Sequence, residues 1–84
     1  MVKTQSIFDP RYKDLIQVLV DRRHKNGWSQ IKFSQISGML PNTVARIELC
    51  ERRLDLIEAI DYMKKLEMPK SEIKKTLNDI VDCR

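Results

Sequence analysis

Residues Gly27 to Glu48 read GWSQIKFSQISGMLPNTVARIE. The stretch holds two helix-sized blocks, with Gly38 between them and Pro41 three residues beyond it. Ser29 is a good N-cap and predicts a helix over 30–37, because its hydroxyl can accept from an amide of the first turn. Trp28 ahead of that cap and Phe33 four residues after it make a hydrophobic staple, which sets the angle at which the chain comes in. Gly38 ends this helix, and Pro41 opens another over about 41–49, facing inward with Val44 and Ile47. Leu40 brings no capping side chain, but proline at the first helical position gives up only an N–H that had no helical partner.

Two helices joined by so tight a glycine turn cannot lie antiparallel. They cross steeply, and the second is offered outward on the scaffold of the first. That arrangement is the helix-turn-helix device for presenting a helix to a DNA major groove. Asn42, Thr43, Ala45 and Arg46 are left on the outward side.

Working outward, Asp9-Pro10 reads as cap and first helical residue, and Tyr12, Leu15, Ile16, Leu19 and Val20 recur at helical spacing. This helix runs to about Lys25, where Asn26-Gly27 stops it, Gly27 taking the left-handed conformation. Downstream, Asp55 with Glu58 three residues on resembles a capping box. It opens a fourth helix expected to turn Leu56, Ile57, Ile60 and Met63 inward, until Pro69 breaks it. Ile73, Leu77, Ile80 and Val81 mark a fifth helix to about Asp82, with Lys74 and Lys75 on its other face. With no strand signal or internal repeat, the class is all-α: five short helices in one domain. Residues 1–9 are a tail, 10–68 the core, and 69–84 a C-terminal helix offered as a dimerisation element.

The totals agree. A chain of 84 residues has room for one modest core, and 42% hydrophobic with 33% charged residues suits a folded, helix-rich domain. No apolar run approaches a membrane span, and the N-terminus lacks the basic start and apolar centre of a signal peptide, so a cytoplasmic protein is expected. Cys50 and Cys83 are expected to stay reduced, although a disulfide between them is the alternative. One histidine, His24, and no paired Cys or His spacing leave no metal site to build. Nothing suggests a cofactor, and without a nucleophile–base pairing or phosphate loop an enzyme is not expected.

Charge placement is more telling than its total of +4. From Arg22 to Arg53 seven basic residues face two acidic ones, whereas the rest holds nine against ten. The whole excess therefore sits on the quoted segment, and an excess there favours a polyanionic partner.

The spacing Arg23, seven residues to Gln30, eight to Gly38 and ten to Glu48, followed by ERRLD from Glu51, resembles the phage-repressor-type helix-turn-helix family, also called Cro-like or XRE. The resemblance covers about Tyr12 to Met68. It implies a lambda-repressor-like DNA-binding domain of five helices, acting as a homodimer on double-stranded DNA. It also implies roles by position. Arg23 and Glu48 match a structural ion pair tying the first helix to the end of the third. Gln30 matches a phosphate contact that braces the recognition helix. Base reading falls at Pro41, Asn42, Thr43, Ala45 and Arg46. The departures are Leu40 where Ser or Thr usually caps, Pro41 in place of a common glutamine, Ser34 for alanine, Ser37 for an apolar residue and Cys50 for a helix-ending glycine. Ile36 is expected to supply the burial lost at Ser37.

From the residue chemistry, Asn42 suits adenine N6/N7 and Arg46 suits guanine O6/N7, while Lys32, Arg52 and Arg53 are candidate phosphate contacts. Arg46 could instead pair with Glu48 or Glu51, and Arg52 or Arg53 with Asp55. The expected function is a transcriptional regulator, in the first place a repressor on an inverted repeat, encoded by a bacterium or phage. Its dimer interface would come from Ile73, Leu77, Ile80 and Val81. The alternative is an interaction module with a protein partner, a toxin or a co-regulator.

Overall fold

Four of the five helices begin where a side chain or a proline eases the problem of unpaired first amides. The computed structural model describes residues 9–82 and contains five helices and no strand among them: α1 (Pro10–Lys25), α2 (Gln30–Ser37), α3 (Pro41–Glu48), α4 (Leu56–Lys65) and α5 (Lys70–Asp82). Asp9 caps α1 by accepting from the Arg11 amide at 2.8 Å, and Ser29 caps α2 by accepting from the Lys32 amide at 3.0 Å. At α4 the capping box is complete, with Glu58 N–H donating to Asp55 and Asp55 N–H donating to Glu58. Satisfying the N-terminal amides this way is worth about 1 kcal/mol per helix. α3 is the exception, for Leu40 makes no side-chain cap and Pro41 alone presets the first turn.

The C-terminal ends follow one pattern. After α1, α3 and α4 the chain takes a left-handed residue, and the amide beyond it reaches back five residues. Trp28 donates to the Arg23 carbonyl, Glu51 to Arg46 and Met68 to Met63. This closure favours glycine at the left-handed site. Gly27 supplies it after α1, but Cys50 (φ +61°) and Glu67 (φ +64°) do so after α3 and α4. Gly38, at φ +79°, ends α2. The hydroxyl of Ser37 donates to the Ser34 carbonyl and accepts from the Met39 amide, so a polar residue there stitches the turn on both sides. Ser37 is itself half-buried and Ile36 is exposed, which corrects the expectation that Ile36 takes over the burial.

The core gathers Leu15, Ile16 and Leu19 of α1, Phe33 of α2, Val44 and Ile47 of α3, Tyr62, Met63 and Leu66 around α4, and Ile73 of α5. Each large aliphatic removed from water here contributes about 1.5–3 kcal/mol. Trp28 stacks on Phe33, centroids 6.2 Å apart and planes within 16°, as the staple predicts. α4, however, turns Ala59, Tyr62 and Met63 inward. Leu56 and Ile57 are 63% and 66% exposed, a correction to the expectation that both face the core. Successive residues lie about 100° apart on a helix, and the inward arc centres on 59, 62, 63 and 66.

α5 also differs from its expected role. Ile73 is buried in the core and is not available to a dimer interface, while Leu77 and Ile80 are half-buried against the core. Only Val81 of that set stands in solvent. Arg22 clamps α5 to α1, donating to Glu72 at 2.9 Å and to the Glu67 carbonyl at 3.1 Å. Asn26 adds a bond to the Leu66 carbonyl at 2.8 Å. Away from that clamp, the start of α1 and the end of α5 border an apolar cleft of about 250 Å³ lined by Leu15, Val18 and Ile80. Cys50 is a free thiol; Cys83, on which the disulfide alternative turns, lies outside the described residues, as do residues 1–8 of the tail.

Candidate nucleic-acid interface

α3 is eight residues long and divides sharply. Val44 and Ile47, three apart, are fully buried, and that fixes the opposite side outward. Pro41, Asn42 and Arg46 are exposed, while Thr43 and Ala45 are half-buried at the edges. Arg46 makes no ion pair with any described residue; the pairings open to it with Glu48 or Glu51 are not formed. Its backbone carbonyl accepts from the Glu51 and Arg52 amides, which fastens the loop while the guanidinium stays in water.

What holds α3 is a polar cluster at its last residue. Arg23 of α1 donates twice to Glu48, from Nε at 2.7 Å and from Nη2 at 2.9 Å. The side chains of this pair are only 8% and 9% exposed. A third donor, Gln30 Nε2 at the start of α2, reaches the same carboxylate at 2.8 Å. Arg23 Nη1 also donates to the Trp28 carbonyl at 2.8 Å, which ties in the α1–α2 turn. Three helices thus meet on one carboxylate, each partner fully oriented, and this is what a buried pair needs to offset its desolvation. Gln30 has one amide proton committed to this cluster and one left for a further acceptor.

Tyr62 closes the cluster from below. Its ring packs on Phe33 at 5.0 Å, and its hydroxyl is buried without a hydrogen-bond partner. Burial, and then the nearby Glu48 carboxylate, push the Tyr62 hydroxyl well above the ordinary phenol range. Tyr12 is better served, its oxygen accepting from the Leu54 amide at 3.0 Å and pinning the loop that leaves α3. Burial raises its pKa as well.

Of the candidate phosphate contacts, Lys32 and Arg53 are exposed. Arg52 is half-buried and is not paired with Asp55. Its Nη2 donates to Glu58 at 3.2 Å. The Gln30–Glu48 and Tyr12–Leu54 bonds carry no local pattern in the sequence. They span 18 and 42 residues and appear only once the helices are packed.

The site so built is a short, rigidly held helix with an amide, a guanidinium and a threonine hydroxyl on or beside its free side. It can donate and accept in the plane of a base edge, and its uncapped first turn leaves amides for an anion. Among the described residues no helix is long and apolar enough to cross a membrane. No protein-family model, curated protein or solved structure matches the chain.

Proposed function

We propose that this chain is a sequence-specific DNA-binding regulator of the helix-turn-helix kind, reading DNA with the outward side of α3 and acting as a homodimeric repressor. One observation carries the reading. The Arg23–Glu48–Gln30 cluster fixes α3 from within, while the side chains of Asn42 and Arg46 on its far side are exposed. Side chains so placed are rigidly aimed yet free to bind, which is what direct readout needs. The basic excess between Arg22 and Arg53 supplies the attraction to phosphate.

The test is fluorescence anisotropy of the purified chain on duplex DNA from upstream of its own gene, over a series of salt concentrations. Binding should weaken steeply as salt rises, and Arg46→Ala should cost about 1–3 kcal/mol on the preferred site and relax one position. Equal loss on every sequence would make Arg46 a phosphate contact only. Absence of salt-dependent binding to any duplex overturns the reading.

A second reading, a module that binds a toxin or co-regulator, is favoured by Leu40 and Leu49. These are 70% and 68% exposed at the two ends of α3. It would reveal itself as tight association with a protein that salt hardly affects.

A further inference from the structure

The seam between the start of α1 and the end of α5 is not closed by either helix. Its cleft of about 250 Å³, lined by Leu15, Val18 and Ile80, meets a second of about 330 Å³ lined by Tyr12, Leu15 and Ile80. The two share Arg11, Leu15 and Ile80, so together they make one apolar trough. Tyr12 and Ile80 are half-buried there, and Val18 is 39% exposed. Asp9, the first described residue, lines the second part.

We propose that the chain's own N-terminal segment occupies this trough, Phe8 first and Ile7 behind it, and so fastens α5 to α1. The proposal does not rest on the DNA-binding reading. Residues 1–8 read MVKTQSIF and end on an adjacent apolar pair. Phe8 is one peptide bond from Asp9, with Cα atoms about 3.8 Å apart. Asp9 is extended and held by the bond from the Arg11 amide, which fixes where the preceding chain enters. At α2 the residue ahead of the cap, Trp28, stacks on Phe33 four residues after the cap. The corresponding position at α1 is Lys13, so Phe8 has no such local partner, and the apolar surface beside its cap is the trough.

Size and charge agree with this occupant. An apolar cavity of about 150 Å³ takes a benzene ring, so the trough has room for a phenyl ring and part of a branched aliphatic. Lys3 is the one charged side chain among residues 1–8. It lies five residues before Phe8, a reach of at most about 18 Å. Asp14 and Asp79, both exposed, flank the trough within that reach, Asp79 also accepting from Lys75. The tether decides between this segment and the same segment of a second copy. Over so short a link the effective concentration is about millimolar, so below that the chain's own residues win.

Nuclear Overhauser spectroscopy of the full chain, isotope-labelled and at about 100 μM, tests the contact directly. Cross-peaks should join the Phe8 ring to methyl groups of Leu15, Val18 and Ile80. In an equal mixture of labelled and unlabelled chains they should arise within one chain only. Hydrogen exchange reads the consequence for α5. Phe8→Ser should speed amide exchange over residues 74–80 at least tenfold and leave the helical circular dichroism near that of wild type. Phe8→Leu, which keeps an apolar side chain, should recover most of the protection, and Thr4→Ala should change nothing. Val18→Lys puts a charge on the exposed edge of the trough and should move the Phe8 ring signals to their positions in an unfolded peptide. Absence of those cross-peaks, cross-peaks that arise only between chains, or α5 exchange in Phe8→Ser equal to wild type would each overturn the proposal.

Discussion

Replacing Glu48 by Gln keeps the shape of the side chain and removes its charge. Arg23 would then hold a guanidinium that is almost wholly buried, with a neutral amide where two charge-assisted bonds of 2.7 and 2.9 Å had been. Stranding one member of a buried pair costs about 3–5 kcal/mol. A chain of this length has a total stability of about 4–13 kcal/mol, so the substitution removes between about a quarter of the folding free energy and all of it. The double replacement Arg23→Met with Glu48→Leu should behave differently, because neither charge is left unpaired. It forgoes the bonds from Arg23 to the Trp28 carbonyl and from Gln30 to Glu48, worth about 1 kcal/mol each, and should fall about 2 kcal/mol below wild type. Urea unfolding followed by circular dichroism measures Glu48→Gln and the four corners of the cycle made by wild type, Arg23→Met, Glu48→Leu and their double. A loss under about 1 kcal/mol for Glu48→Gln, or a double variant as unstable as the summed singles, would refute the argument that this cluster holds α3.

Other features carry outcomes of their own. Tyr62→Phe removes a buried hydroxyl that has no partner and keeps the ring on Phe33, so thermal unfolding should show a variant as stable as wild type or up to about 2 kcal/mol more stable. Glycine at position 67 relieves a left-handed backbone worth about 1–2 kcal/mol and returns about 0.5–1 kcal/mol as chain entropy, a net gain of about 0.5–1 kcal/mol by urea titration. Glycine at position 50 should gain less than at 67, since the Cys50 side chain packs against the core and Glu67 lies in solvent. The hydrogen bonds from the Arg11 side chain and amide hold the Asp9 carboxyl down at about 2, against an ordinary 3.8. A group depressed on folding stabilises fully above its unfolded value and loses that contribution as pH falls toward its folded one. The Asp9 carboxyl resonance should therefore titrate near pH 2, and a midpoint near 4 would show the cap to be unformed.

Helix boundaries were legible because they are written in local chemistry. Asp9-Pro10, Ser29, Gly38, Pro41 and the Asp55–Glu58 box each act within four residues, and the observed ends fall on them. The inward faces of α1 and α3 were legible for a related reason, their apolar residues marking a single arc, whereas α2 buries Ser34 beside Phe33 and leaves Ile36 outside. α4 misled because Leu56 and Ile57 are its most apolar pair, while the true inward arc includes a small alanine and a tyrosine. Hydropathy counts side chains and says nothing of which neighbour is there to cover them. The turn at Glu67 was invisible, since a left-handed glutamate has no glycine to announce it. Of the candidate site, the outward side of α3 and the Arg23–Glu48 pair could be read in advance. The commitment of Gln30 to that pair, and of Arg52 to Glu58, depends on packing across helices and could not.

The split of α3 between Val44 with Ile47 and Pro41 with Asn42 and Arg46 also bears on how such a protein changes over generations. On the proposed DNA-binding reading, substitutions at Asn42 and Arg46 leave the buried scaffold alone, so a descendant could acquire a new target by altering them without first gaining stability. Drift in preference and loss of fold are then separate risks, borne by different residues of one eight-residue helix.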